Sequence, residues 1–203
     1  MSSLKRLLDS DRTTVAGDRC QYCGGPLPPD HRHVANVETR QLLCVCAACH
    51  AALATGDGEQ GPHRAVPRRY LRLVAPAITD EQWDAFEIPV GIAFFFHNSA
   101  LNRTVAAYPS PAGATESLLS PEAWDGVLRA SPLARTLAPD VEALLVRRTD
   151  GARESFVVPI DACYELAGRI RRRWSGFGGG PLVREEIDSF FAMLREKSEA
   201  TTP

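Results

Sequence analysis

Two C-x-x-C units stand near the start of the chain, Cys20-Gln-Tyr-Cys23 and Cys46-Ala-Ala-Cys49, with 22 residues between them. Each unit can fold into a tight knuckle whose two thiolates point at one cation, and two knuckles supply a tetrahedral set of four sulfurs. Gly24 follows the first unit where a knuckle must turn sharply, and glycine accepts positive φ at no steric cost. The metal expected is zinc in a closed structural site, and a mononuclear iron centre of the rubredoxin kind fits the same ligands. Cys44 complicates the set. It lies two residues before Cys46, so on a regular strand the two would share a face and Cys44 could replace Cys46. The other reading makes Cys44 a small buried residue beside the site. His50, directly after a completed set of four cysteines, reads as a bystander.

Asp30-His31-Arg32-His33 adds a second kind of chemistry. With two C-x-x-C knuckles it is superficially similar to HNH nucleases, in which a histidine activates water while a second metal holds phosphate. The asparagine and glycine-rich turn expected of a ββα-metal finger are missing, and no basic run accompanies the pair. A solvated loop is the plainer reading of His31 and His33.

The elements that must hold these residues can be read from the flanking pattern. Residues 1–18 form a polar lead-in whose Leu4, Leu7 and Leu8 could make a turn or two of amphipathic helix. Residues 19–54 make a zinc ribbon, with strands at about Arg32–Val37 and Arg40–Val45 and with Leu27, Leu42 and Leu43 packed beneath the metal. Thr55 to Gly61 is a glycine- and charge-rich connection. Residues 62–203 then alternate strands with capped helices, which predicts an α+β domain built on a largely antiparallel sheet.

Within that domain Arg64–Pro67 and Tyr70–Val74 read as extended. Thr79-Asp-Glu-Gln82 is a capping box that opens a short helix. Val90–Phe96 is apolar throughout, which predicts a strand buried on both faces. Thr104–Tyr108 is its hairpin partner. Ser120-Pro121 starts a helix with an N-cap serine and an N1 proline. Val141–Arg148 and Ser155–Ile160 pair across Thr149-Asp-Gly-Ala152. Asp161 caps a helix that buries Cys163, Ala167, Ile170 and Trp174 and ends on Arg171-Arg172-Arg173, where cations suit the helix dipole. A last helix runs from Pro181. Tyr108-Pro-Ser-Pro-Ala-Gly-Ala-Thr-Glu116 reads as a rigid loop, because two prolines fix φ, and such loops often carry recognition. Tyr108, Pro109, Pro111, Thr115 and Glu116 are therefore the candidate partner-binding residues.

Composition narrows the function class. A net charge of −2 gives no overall pull toward nucleic acid or anionic lipid. The longest apolar run, Ile88–Phe96, is too short to cross a bilayer, and the amino terminus lacks a signal peptide's apolar stretch and cleavage site. The chain reads as cytoplasmic, where clustered cysteines are metal ligands or redox groups more often than disulfides. No dinucleotide fingerprint, P-loop or nucleophile elbow is present, so the sequence does not support an enzymatic site in residues 62–203.

Five blocks carry a family resemblance: Arg19-Cys-Gln-Tyr-Cys-Gly-Gly-Pro-Leu27, Leu42-Leu-Cys-Val-Cys-Ala-Ala-Cys49, Ile88-Pro-Val-Gly-Ile-Ala-Phe-Phe-Phe96, Tyr108–Glu116 and Val158-Pro-Ile-Asp-Ala-Cys-Tyr-Glu-Leu166. Over about residues 19–197 the chain resembles a family without an assigned activity, found mainly in actinobacteria beside genes of uptake nickel-iron hydrogenases. The resemblance implies an accessory or maturation role with a hydrogenase subunit or maturation factor as partner. It does not imply hydrogenase catalysis, because the paired motifs of a large subunit are absent. The expectation is a non-enzymatic metal-binding accessory protein. A rubredoxin-like electron carrier or redox protector, and an HNH-like nuclease, are the alternatives.

Overall fold

The structure is a computed structural model that describes residues 19–55, 61–149, 151–176 and 179–201. The sequence expectations for residues 1–18 and for most of Thr55–Gly61 fall outside them. The chain divides into two compact units between Pro67 and Arg68.

The first unit is a knuckle, a hairpin and a helix. Strands β1 (Arg32–Asn36) and β2 (Gln41–Val45) pair antiparallel, with His33 opposite Cys44 and Val34 opposite Leu43. Helix α1 (Ala47–Thr55) follows β2 after one residue. A third strand, β3 (His63–Ala65), pairs antiparallel with the other side of β1. These residues belong to the first sheet, although the sequence pattern groups them with the second domain. Alternation along the strands puts Val34, Leu43 and Val45 on one face, where they meet Cys20, Leu27 and Leu53 in a small core. Leu42 lies on the opposite face, so only Leu43 of the pair packs beneath the cysteines.

The second unit is a seven-stranded sheet with helices on both faces. Its strands are β4 (Leu71–Leu73), β5 (Ile92–Asn98), β6 (Arg103–Ser110), β7 (Gly113–Leu118), β8 (Glu142–Thr149), β9 (Ala152–Pro159) and β10 (Glu199–Thr201). Their order is β10-β4-β9-β8-β5-β6-β7, and every pairing except β10 with β4 is antiparallel. The fold is thus α+β with mostly antiparallel sheets.

Helices α2 (Asp80–Ala85) and α3 (Pro121–Ala130), with the 3-10 turn Pro132–Thr136, cover one face. Phe95 is the centre of that layer, 5.8 Å from Trp124 in a stacked pair and 5.4 Å from Phe86. Helices α4 (Ile160–Arg173) and α5 (Gly180–Lys197) cover the other face, where Phe94 meets Tyr164 and Phe156 meets Phe191. Successive phenylalanines of β5 therefore serve opposite layers, which is why that strand is apolar from Ile92 to Phe96. Gly91 leads into β5 where a Cβ would sit 2.6 Å from the carbonyl oxygen of Arg148, and its own carbonyl accepts from the Arg148 amide.

The local start signals act as their chemistry requires. The Thr79 hydroxyl accepts from the Gln82 amide while the Gln82 side chain accepts from the Thr79 amide. Ser120 caps α3, with Pro121 at its first position. Asp161 is not the N-cap of α4. The helix begins at Ile160 directly from Pro159, and the Ile160 amide is already taken by the Val141 carbonyl, so Asp161 sits inside the first turn.

Candidate metal centre

The first cysteine pair sits in a loop closed by its own backbone. Cys20 donates its amide to the Gly25 carbonyl at 2.7 Å and accepts from Gly24 at 2.8 Å, and Gly24 has φ +74°. Gln21 ties this loop to β2 through both ends of one residue. Its amide donates to the Cys44 carbonyl at 2.9 Å, and its side-chain oxygen accepts from the Cys44 amide at 2.7 Å. The second pair sits where β2 gives way to α1. Cys46 stands between strand and helix, its carbonyl accepts from His50, and Cys49 lies in the helix's first turn. A helix N-terminus favours thiolates there.

These placements bring the four sulfurs of Cys20, Cys23, Cys46 and Cys49 within 4.8 Å of one another. The Cys23–Cys46 separation is 3.8 Å. A tetrahedron of sulfurs about 2.3 Å from a central zinc has edges of about 3.8 Å, so this edge already has metal-site length. It is far beyond a disulfide's roughly 2.05 Å, and all six cysteines are free. The cluster runs from buried Cys20, through half-buried Cys46 and Cys49, to exposed Cys23.

Protons are unevenly shared within the cluster. Burial pushes the Cys20 thiol up. Donors from the Cys23, Cys46 and Tyr22 backbone and the Cys23 side chain outweigh it and bring Cys20 to about 6. The Cys46 amide reaches its sulfur at 3.3 Å. Cys49 is pushed up to about 12, by burial first and then by the neighbouring sulfurs and the charge on Cys20. One thiolate forming at the expense of the next is what four acidic groups do when packed around one point. A divalent cation reverses that balance and ionises the whole set. The donor set therefore fits a metal ion and would hold it with four thiolates, leaving no coordination position for water or substrate. Geometry alone does not separate zinc from iron, because both take such a set.

Cys44 does not join this group. Its sulfur lies with ring nitrogens of His31 and His33, the three ligand atoms within 4.8 Å of one another. The reason is the end of β2: regular alternation stops at Val45, so Cys46 leaves the face that Cys44 occupies. His50 also stands apart, bonding the Val66 carbonyl at 3.0 Å through Nε2. The His33–Cys44 pairing was latent in the sequence, since a short turn between equal strands fixes which residues face each other. The role of Gln21 had no sequence signal.

Tyr108, Pro109, Pro111, Thr115 and Glu116 do not form a rigid loop. They belong to the β6–β7 hairpin, with Tyr108 opposite Thr115 and Pro109 opposite Ala114, and the reversal is confined to the Ser110–Gly113 connection. Proline is tolerated in β6 because pairing with β5 ends at Ala107, so at Pro109 only β7 flanks the strand. Pro111 is exposed at the tip, Tyr108, Thr115 and Glu116 are half-buried, and β7 ends the sheet.

In the rest of the second unit, Cys163 is buried and its thiol is pushed well up by that burial, then by Asp161, so it is inert core. Arg148 and Arg153 line a surface cleft, where they pair with Asp80 and Asp84 at 2.6–3.4 Å. No helix among the described residues is long and apolar enough to cross a membrane.

No curated protein and no solved structure matches the chain. One family model does, over residues 19–198, and that span takes in the four cysteines and nearly the whole second unit. On that match the chain belongs to the family of unknown function DUF5947.

Proposed function

We propose that the chain is a non-enzymatic accessory protein that holds one structural zinc in its first unit and works through protein contacts. The observation that carries the reading is the closed set of four sulfurs. A centre whose every position is filled by thiolate serves the fold and leaves recognition to the surfaces around it. Tyr22, 58% exposed beside the knuckle, and the β6–β7 hairpin with Pro111 at its tip are the contact surfaces. The resemblance to a family encoded beside uptake nickel-iron hydrogenases supports a hydrogenase subunit or maturation factor as partner, with a role in assembly, maturation or operation. Purified protein is expected to be colourless with one tightly held zinc per chain, and a red protein with iron-thiolate absorption would replace zinc by iron. Co-purification with hydrogenase subunits tests the role. Intact hydrogenase assembly and activity after deletion of the gene would refute it.

One observation favours an HNH-like nuclease as the second reading. Asp30-His31 stands at the entrance of β1 in a β1–β2–α1 order, the element order of a ββα-metal finger. Metal-dependent DNA cleavage lost in His31→Ala would support it, and absence of cleavage by the wild-type protein disposes of it.

A further inference from the structure

His31, His33 and Cys44 gather on the sheet face opposite the four-sulfur centre. His33 and Cys44 are directly paired across β1 and β2, and His31, just before β1, sets its ring against that of His33. The two imidazoles meet edge to face with centroids 4.9 Å apart. The other face of the same strands carries Val34, Leu43 and Val45, packed with Cys20, Cys46 and Cys49. The two donor groups are therefore separated by the thickness of the sheet.

We propose that His31, His33 and Cys44 form a second, exchangeable site for a borderline-soft divalent transition metal such as zinc. The three ligand atoms lie within 4.8 Å of one another. A tetrahedral ion with nitrogen at about 2.0–2.1 Å and sulfur at about 2.3 Å needs ligand separations of about 3.3–3.6 Å, so side-chain shifts of about 1 Å close the set. His31 is already oriented for it. Its Nδ1 lies 3.2 Å from the Pro28 carbonyl, which can only accept, so Nδ1 is the donor and in the neutral imidazole the lone pair falls on Nε2. Ligating histidines are commonly fixed by such a bond from the other ring nitrogen. Two imidazoles and a thiolate select zinc, nickel or copper over magnesium or calcium. All three residues are half-buried, and among the described residues the group offers three protein ligands. The fourth position is left to water or a small anion, which makes this ion weaker and faster to exchange than one held by four thiolates.

Zinc titration of the full chain, read by competition with a chromophoric chelator, tests the site. Wild-type protein is expected to bind two equivalents, the second released by a mild chelator that leaves the first in place. Cys44→Ser and His33→Gln should each weaken only the second equivalent, by more than the roughly 10–100-fold that loss of an outer-shell partner costs. Cobalt in the second position should show a thiolate charge-transfer band that Cys44→Ser abolishes. His31→Gln, outside β1, gives the same reading if a strand variant does not fold. A single equivalent in wild-type protein overturns the proposal. So does retention of two equivalents in the variants, or loss of the tight equivalent in Cys44→Ser, which would make Cys44 a ligand of the first centre.

Discussion

Removing the metal from the four-cysteine centre should unfold the first unit and leave the second intact. Among its described residues the first unit buries few large side chains: Val34, Val45 and Val66 are the buried branched aliphatics, and Cys20 is itself part of the core. At about 1.5–2 kcal/mol for each buried valine, these three contribute about 5–6 kcal/mol. A structural zinc in a small finger contributes about 10–16 kcal/mol at neutral pH, more than these three valines together. The second unit has its own fully buried Phe94, Phe95, Phe156, Phe190, Phe191 and Leu144, and it needs no staple. Hydrogen exchange read by mass spectrometry resolves the two. After a strong chelator, amides of β1 and β2 should exchange as in an unfolded chain while those of β5 and β8 stay protected. Acid should act as the chelator does, because metal binding releases thiol protons. If β1 and β2 stay protected once metal analysis shows none bound, the cysteines are not the staple and the argument from the small core is wrong.

Cys46→Ser should abolish tight metal binding even though Cys44 remains, because the end of β2 at Val45 leaves Cys44 on the other face; metal stoichiometry checks it. Phe95→Ala should cost about 3–5 kcal/mol in denaturant unfolding and Phe95→Leu clearly less, since the ring is wholly buried between Trp83, Phe86 and Trp124. Arg69→Met should destabilise the second unit by about 2–4 kcal/mol, because Glu142, 3% exposed, keeps only the Ala138 amide after losing both bonds from the guanidinium; the value falls below that of a wholly buried pair because the Arg69 side chain is 35% exposed. Burial, then the charges of Asp161 and Glu165, push the Tyr70 phenol above its usual 10, so the folded chain keeps a proton that the unfolded chain releases. Stability from this group is whole below about pH 10 and falls as pH rises beyond it, and Tyr70→Phe should flatten that alkaline loss in thermal melts.

Features set by nearby residues were legible in the sequence. The two C-x-x-C units, the Thr79–Gln82 box and Ser120-Pro121 each involve bonds or spacings within a few residues, and each appears where the residues stand. The all-apolar run before His97 was legible too, because burial on both faces leaves no polar position. Features set by distant partners were not. His63–Ala65 is a three-residue strand whose identity comes from pairing with β1, and Glu199–Thr201 becomes a strand only because β4 offers an edge. Pro109 signals a break, yet the strand continues because its pairing with β5 has already ended at Ala107. Asp161 has the chemistry of a cap, but the helix already begins at Ile160, so Asp161 falls inside its first turn.

The same distinction decides how the candidate sites are read. Cys44 and Cys46 are two residues apart in a strand-like run, and spacing alone makes them interchangeable. What separates them is where β2 ends, and that is fixed by the hairpin register and by Cys46 meeting Cys20 at the mouth of α1. One backbone event therefore sorts the sulfurs, four thiols to the core face and one to the face with two histidines. A centre closed by four thiolates can shape the module but has no position at which to exchange a ligand. Among the described residues of the first unit, the place for metal-dependent reactivity is consequently the proposed site on the opposite face, where the donors are three and half-buried. Stability under chelation and exchangeable metal binding should thus respond to different residues, Cys20, Cys23, Cys46 and Cys49 for the first and His31, His33 and Cys44 for the second.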